Sequence, residues 1–139
     1  MSLFGVIVCT PKGRGSQLLL RIFKGSMKAK DMVTCLKELK KQIKGRKLLL
    51  IWDGLPAHRA KVVTEYLNTQ KNWLRVERFP GYAPELNPIE YLWSAMKRKD
   101  LANHPAEGLK KLRRSVWRAK RRLGNKKLLR GFLEASGLY

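Results

Sequence analysis

The stretch Leu48-Leu49-Leu50-Ile51-Trp52-Asp53, with the later block Pro80-Gly81-Tyr82-Ala83-Pro84-Glu85-Leu86-Asn87-Pro88-Ile89-Glu90, decides how this chain is read. The first is a continuous apolar run between turn signals. It reads as a strand covered on both faces, with Asp53 at its C-terminal end. The second is a Pro- and Gly-rich loop that hands over to a helix. Asn87 suits the N-cap, Pro88 the first helical position, and Ile89, Leu92, Trp93 and Met96 recur at i, i+3, i+4 and i+7 on one apolar face. Glu90 then falls in the first turn. A carboxylate ending a strand and another opening a helix are the parts of a two-metal phosphodiester site. Such ions sit roughly 3.5–4 Å apart, clamp the attacking and leaving oxygens, and prefer hard oxygen ligands when they are magnesium.

Working outward, Leu3 to Cys9 is apolar and β-branched, and Leu18 to Phe23 follows the turn signal Pro11-Lys12-Gly13-Arg14-Gly15, so the opening reads as a hairpin. Lys28 to Ile43 carries Met32, Leu36, Leu39 and Ile43 at helical spacing with lysines opposite, and Gly45 just past its end. Ala57 to Leu67 reads as a helix with Val62, Val63, Tyr66 and Leu67 inward, and Trp73 to Phe79 as a short strand. Beyond Pro105, Leu109, Leu112, Val116 and Leu123 mark a basic helix, and a last helix runs from about Lys126 to Ala135. The order is an α/β layout, a sheet sandwiched by helices. There is no internal repeat.

At 139 residues and 44% hydrophobic content the chain suits one domain with a real core. Its formal charge of +21, from 31 basic and 10 acidic side chains, would repel itself strongly away from a polyanion, so nucleic acid is the leading partner. The longest apolar run falls far short of the roughly 20 residues a membrane span needs, and no charged leader precedes the apolar residues near Met1. No membrane partner and no signal peptide are therefore expected. Cys9 and Cys35 lack the close spacing of a zinc or redox motif and read as reduced fillers in a cytoplasmic, nucleoid-associated protein. Charge is unevenly spread: Asp53 to Met96 balances five basic against five acidic residues, whereas Lys97 to Arg130 holds fourteen Lys and Arg against Asp100 and Glu107.

Leu-Leu-Ile-Trp-Asp with His58 five residues on, then Pro-Gly-Tyr-Ala-Pro-Glu-Leu-Asn-Pro-Ile-Glu-Tyr-Leu-Trp and Lys97, closely resembles the catalytic domain of DDE transposases. The branch it resembles is the mariner-like insertion-sequence transposases of bacteria. The resemblance covers roughly Leu3 to Lys99 and implies a ribonuclease-H-like fold: a mixed sheet flanked by helices, as a partial catalytic domain over residues 1–103, with basic helices 104–139 packed on it. It implies three carboxylates that bind two divalent ions, Mg2+ or Mn2+, to cut DNA at an element's ends and join it to a target. By that pattern Asp53 is the second carboxylate and Glu90 the third, serving as metal ligands and catalytic residues.

The family's first carboxylate lies on a strand ahead of the opening hairpin, central between the second strand and the one ending at Asp53. That strand has no counterpart here, which removes a ladder partner from two neighbours. Asp31 reads as a helix-end charge rather than a replacement. Gly54 stands where the family often carries Asn. The chain therefore resembles the C-terminal portion of a transposase, from a split or shifted frame, a mis-started gene or a decayed element. It is expected to be a poor nuclease alone, with a separate N-terminal polypeptide as a partner and a homodimer as the family's usual assembly.

Each residue also has a plainer reading. Asp53-Gly54 can be a turn, and Glu90 can complete a capping box with Asn87. His58 can orient a ligand, touch phosphate or simply begin a helix, and Lys97, two turns beyond Glu90 on its face, can contact phosphate or only water. Tyr82 and Trp117 read as packed aromatics. The nucleic-acid contacts expected are His58, Lys97 and, in a basic helix that also holds Lys120, Lys110, Lys111, Arg113, Arg114, Arg118, Arg121 and Arg122. Calmodulin-like or membrane-surface binding fits that helix more weakly. The alternative functions are a non-catalytic basic DNA- or RNA-binding protein and a ribonuclease acting on an RNA hybrid.

Affinity for duplex DNA should fall steeply with salt, by about a thousandfold between low and physiological ionic strength if six or more phosphates are engaged. Fluorescence anisotropy across a salt series measures the slope. A flat response would refute binding by charge.

Overall fold

In the computed structural model the residues described are 2–10, 16–54, 56–81, 83–99 and 109–137. Strands β1 (Ser2–Val8) and β2 (Gln17–Phe23) pair with each other, and the turn expected between them lies outside the described residues. Helix α1 (Ala29–Ile43) follows, then β3 (Leu48–Trp52), a 3-10 turn (Pro56–Arg59), α2 (Lys61–Thr69), β4 (Leu74–Arg78) and a second 3-10 turn (Pro84–Leu86). Helices α3 (Pro88–Lys99), α4 (Leu109–Leu123) and α5 (Lys126–Ala135) complete the order. The layout is the α/β one expected; among the described residues β1 pairs with β2 and β3 with β4, each a two-stranded sheet. Among the described residues no helix is long and apolar enough to cross a membrane.

The chain divides into two compact units, Phe23–Ala83 and a second made of Leu3–Ile22 with Pro84–Tyr139. In the first, α1 begins where Asp31 takes the Lys28 backbone N–H at 2.8 Å, the reach-back of a helix-end carboxylate. It ends at Lys44 and Gly45, whose φ values of 52° and 78° turn the chain left-handed into β3. β3 and β4 run parallel, in register from Leu48↔Leu74 to Trp52↔Arg78. Their ladder continues at both ends, with Leu48 N–H donating to Trp73 O at 2.7 Å and Phe79 N–H to Trp52 O at 2.9 Å.

Leu50 and Trp52 are buried, as are Met32, Cys35, Leu36, Leu39, Ile43, Val63, Trp73 and Leu74 of the same unit. The other face of β3 is not covered as expected: Leu49 is 54% and Ile51 39% exposed. They stand beside Arg75 and Glu77 of β4, so the pair is apolar on one face and mixed on the other. The expected helix from Ala57 also differs. A 3-10 turn takes up its start and α2 begins at Lys61, so Val63 is fully buried while Val62, expected inward, is exposed. Val63, Tyr66 and Leu67, at i, i+3 and i+4, share the inward face, and Val62 falls beside it.

In the second unit Leu20, Leu92, Met96, Val116, Ala119 and Leu129 form the core, with Leu3, Ile7, Ile22, Ile89, Trp93 and Phe132 packed against it. α4 and α5 therefore pack on α3 and β2. Asn125 caps α5, its Oδ1 accepting from Lys127 N–H at 2.8 Å. β1 comes close to α3 at Gly5. A Cβ there would meet the Trp93 ring at 2.8 Å and the Ile89 side chain at 3.1 Å, closer than a Cβ tolerates, so the rigid indole would have to shift.

Gly5→Val should therefore destabilise by about 1–3 kcal/mol, the usual cost of overpacking. Gly131→Ala, on an exposed face of α5 with open space around its Cβ position, should be neutral or gain about 0.5–1 kcal/mol. Urea unfolding of both variants compares them. Equal stabilities would show that β1 and α3 are not in close contact.

Candidate active site

Asp53 follows directly on β3, where the Phe79 N–H to Trp52 O bond fixes the strand's last residue. The side chain is 42% exposed. His58 returns to it from the following 3-10 turn: its Nδ1 lies 2.9 Å from the Asp53 carbonyl oxygen and 3.0 Å from Asp53 Oδ1. Both neighbours are acceptors, so Nδ1 carries the proton and donates to them. The imidazole is 12% exposed and stacks on the Trp52 indole, with centroids 4.2 Å apart and planes 6° from parallel. Backbone ladder, indole, imidazole and carboxylate thus form one connected series. Sequence reading gave His58 three possible roles. The geometry places it against Asp53, where it holds one carboxylate oxygen and the orientation of the group.

Glu90 is the third residue of α3 and half-buried. Asn87 caps that helix, accepting Ile89 N–H on its Oδ1 at 3.3 Å. The Asn87 N–H itself donates to Pro84 O at 3.0 Å, inside the 3-10 turn. The donor that a capping-box glutamate would reach for is already engaged, so the plain reading of Glu90 is not realised. Tyr91 Oη donates to Glu85 O at 3.0 Å and ties the preceding loop to the helix. The first turn of α3 is a favourable position for negative charge.

Asp53 belongs to one compact unit and Glu90 to the other. Among the described residues, no group of three or more His, Cys, Asp or Glu gathers as a metal cluster. Lys97 is exposed on α3. On α4, Arg114, Arg118 and Arg121 are exposed and Arg122 is half-buried, while Val116 and Ala119 face the core. The side chains of Lys110, Lys111 and Arg113, and the whole of Tyr82, lie outside the described residues. Trp117 departs from expectation: it is 55% exposed, not packed, with Lys120 Nζ 4.8 Å from the ring centroid. The signal was in the sequence, since Trp117 lies one residue off the apolar stripe through Val116.

Comparison with known proteins decides the family. Residues 7–113 match the family model of the DDE superfamily endonucleases. The chain belongs to the DDE superfamily endonucleases. Among solved structures it is similar to the catalytic domain of the Mos1 mariner transposase, at 18% identity and a TM-score of 0.55, covering 99% of this chain and 81% of that one. The structure of that domain with raltegravir and Mn gives the same identity and TM-score, over 99% of this chain and 82% of that one. The structure with raltegravir and Mg gives 19% identity and 0.54, over 91% and 72%. At these identities the likeness establishes the ribonuclease-H-like fold. No curated protein matches the chain.

His58→Ala should cost about 1–3 kcal/mol of stability, because it removes both the stack on Trp52 and the donor to Asp53. His58→Phe should restore the stacking share and leave the hydrogen-bond share missing. Thermal unfolding of the three proteins tests the order wild type, Phe, Ala. Indistinguishable Phe and Ala variants would show that the ring stack contributes nothing.

Proposed function

We propose that this chain is catalytic-domain material of a DNA transposase, acting in metal-dependent strand cleavage and transfer, with Asp53 and Glu90 as ligands for Mg2+ or Mn2+. The observation that carries the reading is the Asp53 carboxylate, standing at the C-terminal end of β3 with one oxygen engaged by His58 and 42% of its side chain open to solvent. Family membership supports it, as does the similarity of fold to a catalytic domain solved with raltegravir and either Mn or Mg.

The donor chemistry fits a hard divalent cation. Asp53 and Glu90 both offer carboxylate oxygens, and the Asn87 N–H to Pro84 O bond leaves the Glu90 carboxylate out of helix capping. When bound, a pair of such cations supplies Lewis-acid polarisation of the phosphate and of the attacking oxygen. The protein's own contributions are separable from that. His58 is a positioning residue: it donates from Nδ1 and keeps Asp53 from rotating, as the outer partners of ligating groups do. The exposed Arg114, Arg118 and Arg121 of α4 supply the phosphate-binding charge.

Two carboxylates hold a pair of divalent ions weakly. Strand cleavage is therefore expected to require a further acidic ligand beyond Asp53 and Glu90, and the chain alone to be a poor nuclease. A separate transposase polypeptide is the natural donor of that ligand. The basic face of α4 would serve equally well in a purely DNA- or RNA-binding protein, so metal affinity is what separates the two readings.

Isothermal titration with Mn2+ measures it. The wild type should show saturable binding, and Asp53→Asn and Glu90→Gln should each reduce it severely. Undiminished binding in both variants would remove them from the ligand set and leave the non-catalytic reading.

A further inference from the structure

We propose that Trp117 is a base-stacking platform for single-stranded DNA, seated in a shallow cleft between β2 and α4. The cleft is about 220 Å³ and is lined by Leu20, Arg21, Ile22, Val116, Trp117 and Lys120. It is smaller than the roughly 300–1,000 Å³ typical of pockets for drug-sized ligands, and suits one planar group. The proposal rests on the nucleic-acid side of the function above and not on its metal chemistry.

Three observations converge. Trp117 is 55% exposed on a helix whose next residue inward, Val116, is fully buried, so the indole is presented by a rigid element and not left behind by poor packing. Cations flank it on both sides: Lys120 Nζ lies 4.8 Å from the ring centroid, and Arg114 and Arg121, a turn away in each direction, are exposed. The cleft walls alternate chemistry, apolar from Leu20, Ile22 and Val116 and cationic from Arg21 and Lys120. An apolar ligand would find no use for the charge, and a simple anion none for the indole. A nucleotide uses both, with its base on the ring and its phosphates on the lysine and arginines.

The stacked base must be unpaired. Within a duplex each base is covered above and below by its neighbours, so an aromatic side chain reaches a base face where the strand is single or the nucleotide is extruded. Duplex binding by α4 would draw on the same cations without the ring. Strand chemistry on DNA creates such unpaired ends, which are the kind of strand the cleft would hold.

The test is anisotropy of a labelled oligothymidine and of a duplex of equal length, at one salt concentration and in EDTA, with the full chain. Trp117→Ala should weaken oligothymidine binding by about tenfold, the usual effect of losing one stacked base, while duplex affinity changes less than about twofold. Trp117→Phe should keep most of the single-strand affinity, because it keeps an aromatic face. Equal affinity of wild type and Trp117→Ala for oligothymidine would overturn the proposal, as would a proportional loss on both DNAs. Absence of binding to either DNA by the wild type would sink it together with the nucleic-acid reading. A loss of Mn2+ binding with the oligothymidine effect intact would leave it standing and remove the catalytic reading alone.

Discussion

The parallel ladder of β3 on β4 is the constraint on which the candidate site depends. Its last bond, from Phe79 N–H to Trp52 O, fixes the residue whose indole supports His58, and His58 Nδ1 in turn fixes Asp53. A two-stranded sheet is marginal in water by itself. The helical side of the unit must therefore hold it. Leu50 and Trp52 are buried there along with the inward face of α1 and with Val63 of α2. Trp73, at the start of β4, is tied through its indole N–H to Gln70 Oε1 at 2.7 Å, and Lys40 of α1 donates to the same oxygen at 3.2 Å. The carboxylate's orientation is thus an outcome of packing several residues away from it.

What the sequence disclosed about this arrangement followed the range of each signal. The start of α3 was legible because Asn87 and Pro88 act within one turn of themselves, and the Asn87 cap forms as their order implies. The faces of β3 were not. Leu-Leu-Leu-Ile-Trp has no alternation, so its apolar run alone gives no reason for Leu49 and Ile51 to be exposed while Leu50 and Trp52 are buried. The deciding facts are the pairing register, which sets Arg75 and Glu77 beside the exposed pair, and whatever covers each face. Both are tertiary. Among the described residues β3 has one ladder partner, β4.

The coupling of His58 to Asp53 shows a different limit. Their spacing was visible, and so was the possibility of an orienting role, but the choice among roles depended on a 3-10 turn that brings the imidazole back onto Trp52. That local deviation from helical geometry makes the contact that spacing could not assign.

Charge completes the physical picture, because Arg114, Arg118 and Arg121 of α4 are exposed rather than packed in the core. Exposed pairs such as Arg130 with Glu134 at 3.0 Å, or Lys61 with Glu65 at 3.8 Å, contribute little to stability, and α4 contains no acidic residue to form even these. Arg114 and Arg118, four residues apart, repel each other by a few tenths of a kcal/mol. The helix tolerates this because its opposite face buries Val116 and Ala119 in the same core as Leu92, Met96 and Leu129. Hydrophobic packing thus holds the like charges together on one surface, and a bound polyanion removes the repulsion that they retain in its absence. Any ligand that does so stabilises the folded helix by its own binding energy, so affinity for a phosphate backbone and stability of α4 are two measures of one interaction.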